Sequence, residues 1–200
     1  MLIIAASHLK GPLSFSEKRV LFAPPPMLEY FSFGFQMPIA DSLWIQAIQD
    51  FDYCENQIGQ NLCRGNDWLA KMLDTITNLA PDYQNAYFSG GLALTVLVSD
   101  YPGASKIFDK GVALFPHDKK LLYVSGYHAM IEEKNNEKAA KLFVQAAQSG
   151  GPDWLYVLAT SLYKKAGRLE LGEKLYEEIE NLDLPPAMLK YIRKKLQSEK

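Results

Sequence analysis

Three stretches of this chain align on one another column by column. Residues 85–116 read "NAYFSGGLALTVLVSDYPGASKIFDKGVALFP", residues 120–151 "KLLYVSGYHAMIEEKNNEKAAKLFVQAAQSGG", and residues 153–184 "DWLYVLATSLYKKAGRLELGEKLYEEIENLDL". Gly91, Gly126 and Ala159 form one column of small residues, Ala104, Ala139 and Gly172 a second, and Phe108, Phe143 and Tyr176 an aromatic third. The spacing is 35 and then 33 residues in every column. Each stretch carries apolar residues at helical intervals on either side of a polar turn, so each is a helix pair. Small residues let two helices approach to about 8–10 Å, and the aromatic fills the space between them. A single pair cannot bury its own apolar face, so pairs must stack.

These columns resemble the tetratricopeptide repeat family. The likeness rests on the small and aromatic positions just named, with Pro81 and Pro116 at the turns leaving successive units, and it covers roughly residues 66–184. The third unit departs from the pattern. It has Gly172 where alanine is usual and Leu184 ahead of Pro185 and Pro186, and the large residue opening each first helix is softened to Tyr87, Leu122 and Leu155. The resemblance implies an all-α fold, a right-handed α-solenoid of stacked antiparallel helix pairs. The expected organisation is an extended N-terminal arm over residues 1–38 and a repeat domain over 39–184, divided at 39–82, 84–116, 119–151 and 153–184. A C-terminal capping helix over 185–200 completes it.

Around the repeats, residues 38–53 place Ile39, Leu43, Trp44, Ala47, Ile48 and Phe51 on one helical face. A second helix follows, with Asn66 or Asp67 as its cap and Pro81 as its stop. These two make a divergent first pair across a long loop, 54–65. At the other end, "PPAMLKYIRKKLQSEK" has proline at its start and basic residues near its finish, both favourable to a helix.

Ahead of all this stands "RVLFAPPPMLEYFSFGFQMPIAD". Consecutive prolines remove amide donors and clash with a preceding helical turn, so the segment is expected to run extended. It carries Phe22, Met27, Leu28, Tyr30, Phe31, Phe33 and Phe35. Such a cluster left in water invites aggregation and needs a cover. The cover is its own array, the groove of a neighbouring copy, or another protein or a membrane surface. Gly34 and Pro38 restrict the turn needed to fold back, which favours exchange with a neighbour.

The remaining composition narrows the functional class. A formal charge of −2 offers no electrostatic reason to bind nucleic acid or an anionic membrane. Two cysteines, Cys54 and Cys63, are too few for a disulfide framework; two buried or free thiols are expected, with one loop bridge as the alternative. The apolar start "MLIIAASHLK" is short for a signal core and lacks a basic leader, so a cytoplasmic protein is expected. If the natural start lies upstream, the expectation becomes a membrane anchor or a periplasmic protein. His8, His117 and His128 make no metal-ligand spacing with the cysteines, and each is expected to be structural or exposed. Ser125 and Ser161 lack an evident base in sequence, and no glycine-rich phosphate loop is present. Glu132, Glu133, Glu177 and Glu178 read as solvated helix surface, and Glu170 with Lys174 has a supportive i,i+4 spacing. No enzyme, cofactor, metal or small-molecule substrate is expected.

In the resembled family the first helices of successive pairs line a groove for an extended peptide. Transferred position by position, that groove comprises Asn85, Phe88, Leu92 and Thr95, then Lys120, Tyr123, Tyr127 and Met130, then Tyr156, Thr160 and Tyr163. Few of these are charged, so the lining is aromatic with hydroxyl tips and suits apolar side chains on an extended backbone. The expected partner is the arm of a second copy, giving homo-oligomers. The alternative is an adaptor for a foreign peptide in which the arm is a displaceable plug.

Overall fold

The computed structural model describes residues 24–49 and 66–197. Among them are a 3-10 turn (Pro26–Glu29) and nine α-helices, with no strand: α1 (Gln36–Gln49), α2 (Asn66–Leu79), α3 (Gln84–Val96), α4 (Tyr101–Leu114), α5 (Lys119–Ile131), α6 (Asn136–Gln148), α7 (Trp154–Lys165), α8 (Leu169–Ile179) and α9 (Pro186–Gln197). Cys54, Cys63, Phe51, Phe22 and His8 lie outside the described residues, as does the expected loop across 54–65. No helix among the described residues is long and apolar enough to cross a membrane.

Each helix packs on the next along the chain, and α2 also touches α4, α3 touches α5, and α7 touches α9. The small columns work as close-approach points. A Cβ at Gly91 would stand 2.4 Å from the Phe108 ring, and one at Gly126 would stand 2.9 Å from the Phe143 ring. The helix starts are fixed locally. The Asp100 carboxylate accepts from the Gly103 amide at 3.0 Å with Pro102 in the first turn of α4. Asp118 accepts from the Lys120 and Leu121 amides at the start of α5, and Asn135 from the Lys138 amide at the start of α6. One further repeat column emerges from the backbone. Ser99, Lys134 and Gly167, at the turns inside the three pairs, all have left-handed φ, of 53°, 54° and 70°. Only the third unit uses glycine there, the residue that adopts this conformation without a steric penalty.

The core divides at α5. Leu121 belongs to a cluster reaching back to Ala40, Trp68 and Tyr87, whereas Leu122 belongs to one reaching forward to Ile192 and Leu196. Polar ties join successive pairs: Lys138 bridges Asp109 at 2.7 Å and Glu133 at 2.8 Å, and Arg168 meets Glu137 at 2.9 Å. Glu170 pairs with Arg168 at 3.6 Å in place of the expected Lys174.

Two boundaries differ from the sequence expectation. The segment after the prolines is not extended throughout, because Pro26 begins a 3-10 turn. Proline's fixed φ suits the first position of a helical turn as well as it suits an extended chain. The first helix begins at Gln36, before Pro38. Pro38 is tolerated because the amides of a first helical turn have no intrahelical acceptor to lose.

Candidate functional site

Three neighbouring cavities that share wall residues lie along α5, two of them against α3 and one against the start of α7. The first, about 770 Å³, is lined by Asn85, Phe88, Phe115, His117, Lys119 and Lys120 among others. Lys119 and Lys120 are shared with a second of about 240 Å³, walled by Tyr123, Pro152 and Trp154. Tyr123 is shared in turn with a third of about 420 Å³, enclosed by Leu92, Val96, Phe108, Tyr127 and Ile131, with Thr95, His128 and Glu132 supplying its polar edge. Taken in order along α5 they make up a channel with a charged mouth, where Lys119 and Lys120 stand beside Asp118, an aromatic neck and an apolar chamber. The Tyr123 ring forms the neck, edge-on to Trp154 at 6.1 Å and 5.9 Å from Phe143.

Helical geometry explains which side chains reach the channel. Asn85, Phe88 and Leu92 on α3, and Lys120, Tyr123 and Tyr127 on α5, recur every three to four residues on one face. Thr95 also reaches it. Met130 does not: ten residues after Lys120 it stands about 80° around the helix, while Ile131 returns to within about 20°. Met130 instead packs against the second core cluster. Val96 and Ile131, one residue beyond the expected positions, are the channel residues, and eleven-residue spacing was the signal for them. Trp154 carried no comparable signal, because its column partner on α5, Leu121, is buried.

The third unit contributes nothing to the lining at its expected positions. Tyr156, Thr160 and Tyr163 are 5 %, 1 % and 7 % exposed. The cause is α9, which packs on α7 as well as on α8. Thr160 and Tyr163 lie beside Gly172 of α8, whose missing side chain lets Leu196 of α9 settle over it. Burial pushes the Tyr156 and Tyr163 phenols above their ordinary range, aided respectively by Asp153 and by Glu137 and Glu178.

Under the chamber lies His128, 3 % exposed. Its Nδ1 is 3.0 Å from the Thr95 hydroxyl and its Nε2 is 3.0 Å from the Ser105 hydroxyl, so one ring joins α3, α4 and α5. Both hydroxyls also have a helix carbonyl to donate to, Thr95 to Gly91 and Ser105 to Tyr101. A neutral imidazole has one donor and one acceptor, so one hydroxyl must turn its proton to the ring. Burial lowers the His128 pKa, opposed by Glu133, Glu132 and the Tyr101 carbonyl and reinforced by Lys138. Burial alone would raise the Glu133 carboxyl, but the Lys138 ammonium and the Ser105 hydroxyl hold it below the usual range. This network is structural in its effect: it fixes the spacing of α3 and α5, and hence the width of the channel. Among the described residues no His, Cys, Asp and Glu side chains gather as a metal site.

The arm does not enter its own channel over the described residues. Its 3-10 turn packs on α2, where Leu28 is half-buried against the first core cluster and Glu29 accepts from the Asn78 amide at 2.8 Å. Leu28, expected as part of a peptide ligand, therefore serves its own fold. Met27, Tyr30, Phe31, Phe33 and Phe35 project into solvent, Tyr30 and Phe33 more than four-fifths exposed at 82 % and 84 %. Met37, Ile45 and Ile48 extend this apolar surface along α1.

No protein-family model matches the chain, and neither a curated protein nor a solved structure matches it.

Proposed function

We propose that this protein is a non-enzymatic protein–protein interaction scaffold of tetratricopeptide-like type. Its channel along α3 and α5 takes an extended apolar and aromatic peptide, and that peptide is the N-terminal arm of a second copy. Stacking of the helix pairs into a right-handed solenoid belongs to the same proposal. It is supported by the 35- and 33-residue columns and by the left-handed turn position that follows the same spacing.

One observation carries the reading: a single chain holds both an open aromatic channel and a row of exposed aromatic side chains that the described residues leave uncovered. Burying each such side chain is worth about 1.5–3 kcal/mol, against about 1–2 kcal/mol for each backbone residue fixed. Docking is favourable only when most of the aromatics find a site, and an aromatic-walled channel supplies one. Reciprocal exchange closes the assembly, since each copy is donor and acceptor at once.

Deleting residues 1–35 leaves α1 whole and removes every arm aromatic. Light scattering on the truncated chain is expected to give the monomer mass where the full chain gives a multiple of it. Equal masses for the two would exclude arm exchange and leave the channel to a foreign peptide. Candidate apolar peptides would then have to bind the full and truncated chains alike, because the described arm lies on α2 and not across the channel.

A further inference from the structure

Resting on arm exchange, we infer that the second copy's arm enters the channel in one direction and one register. Its Glu29 sits at Lys120, its Phe31 in the neck beside Tyr123 and Trp154, and its Phe33 in the chamber between Tyr127 and Ile131.

Charge sets the direction. The mouth carries Lys119 and Lys120 in the first turn of α5, while the chamber's edge carries Glu132. The Lys119 ammonium is held by the Gly150 carbonyl at 3.0 Å. The Lys120 ammonium has no partner among the described residues. Asp118 is occupied in capping α5. Among the described channel residues, the cation without a partner therefore stands at the mouth, beside the Asp118 carboxylate that caps the helix start. In the arm, Glu29 is the carboxylate immediately ahead of the aromatic run.

Spacing sets the register. In an extended chain Glu29, Phe31 and Phe33 point to the same side, and about 13 Å separates the first from the last. Along α5 the rise from Lys120 to Tyr127 is about 10.5 Å, with Tyr123 between them. Three side chains of the sequence acid, aromatic, aromatic thus meet a mouth, neck and chamber of matching order and pitch.

The arm's present conformation is poised for the change. Phe33 holds φ of 48°, a left-handed conformation in which a bulky residue is strained. Its exposed ring meets only Phe31, at 6.3 Å, among the aromatic neighbours. Extension relieves that strain. It gives up one exposed hydrogen bond, between Glu29 and Asn78, and the half-buried Leu28 contact.

The test is a charge exchange in the full chain, read by sedimentation velocity over a range of concentrations. Lys120→Glu alters an exposed side chain and Glu29→Lys a half-buried one, and each is expected to weaken self-association about tenfold. A reciprocal dimer carries the contact twice, so a modest effect per contact is squared. The chain with both changes is expected to recover to within about threefold of the original. Both single effects should shrink at about 0.5 M salt, where the Debye length falls to a few ångströms. A double variant no better than the weaker single one overturns the register. So do single variants that associate normally while Phe31→Ser with Phe33→Ser abolishes association; arm exchange then stands and this alignment of it falls. An original chain that is monomeric at every concentration removes both.

Discussion

His128 shows how one buried side chain at the edge of a cavity can tie three helices together. It ties Thr95 of α3 to Ser105 of α4 from a position on α5, and the groups around it are Glu132, Glu133 and Lys138 from the next turn and helix. Burial dominates and lowers its pKa, so the folded protein holds the ring neutral where the unfolded chain, with an ordinary value near 6.5, takes up a proton. The unfolded state then binds more protons, and stability falls as pH drops from about 6.5 through the folded pKa. Urea unfolding between about pH 7.5 and pH 5 is expected to show that decline. In His128→Gln it should flatten over the same window, since Lys138 and Ser105 hold the neighbouring Glu133 carboxyl below the usual range. A stability that rises on acidification would mean the imidazolium is the favoured form. Gly91 is a second residue whose local and tertiary preferences oppose each other. Glycine to alanine inside a helix ordinarily stabilises by up to about 1 kcal/mol. Here the new methyl would meet the Phe108 ring, itself 1 % exposed and unable to retreat. Gly91→Ala is expected to destabilise by about 1–3 kcal/mol in the same unfolding assay.

Among the elements, α9 decides where the channel ends. It lies across both α7 and α8, and Tyr156, Thr160 and Tyr163 are core in the last pair, while Tyr123 and Tyr127, the column partners of the first two, stay open in the preceding one. The column pattern made the pairs and the close-approach glycines legible, because those features come from contacts inside a unit or between units adjacent in sequence, and the terminal helix was legible from its leading prolines and basic end. It could not foretell the burial of the α7 face, because repeat spacing carries no information about a helix outside the repeat. The same limit applies to the arm. Proline's fixed φ fits an extended run and the start of a 3-10 turn equally, and contacts with α2 choose between them. Ile192, fully buried, and Leu196 anchor α9. Ile192→Ala is expected to lower stability by about 2–4 kcal/mol. Because α9 shields the α7 face, hydrogen exchange of the α7 amides should quicken more than that of α3. Equal protection in α3 and α7 would mean that α9 is not what closes this face.

At the scale of the whole molecule, an apolar channel and an apolar arm are carried at different places on one chain. In this conformation the arm's base rests on α2 through Leu28 and Glu29, contacts that exchange gives up, and its described aromatics lie free of the channel. The proposed homotypic exchange would use both surfaces with no further partner, and its reciprocal products would be closed and symmetric. The most direct measurement mixes two full-length variants that each lack one half of the contact. One carries Phe31→Ser and Phe33→Ser in the arm; the other carries Tyr127→Glu and Ile131→Glu, both exposed, in the channel. Sedimentation velocity is expected to find each variant monomeric alone and a one-to-one complex on mixing, held by the intact arm of the channel variant in the intact channel of the arm variant. Two monomers that ignore each other, or a channel variant that still self-associates like the original chain, would contradict arm exchange.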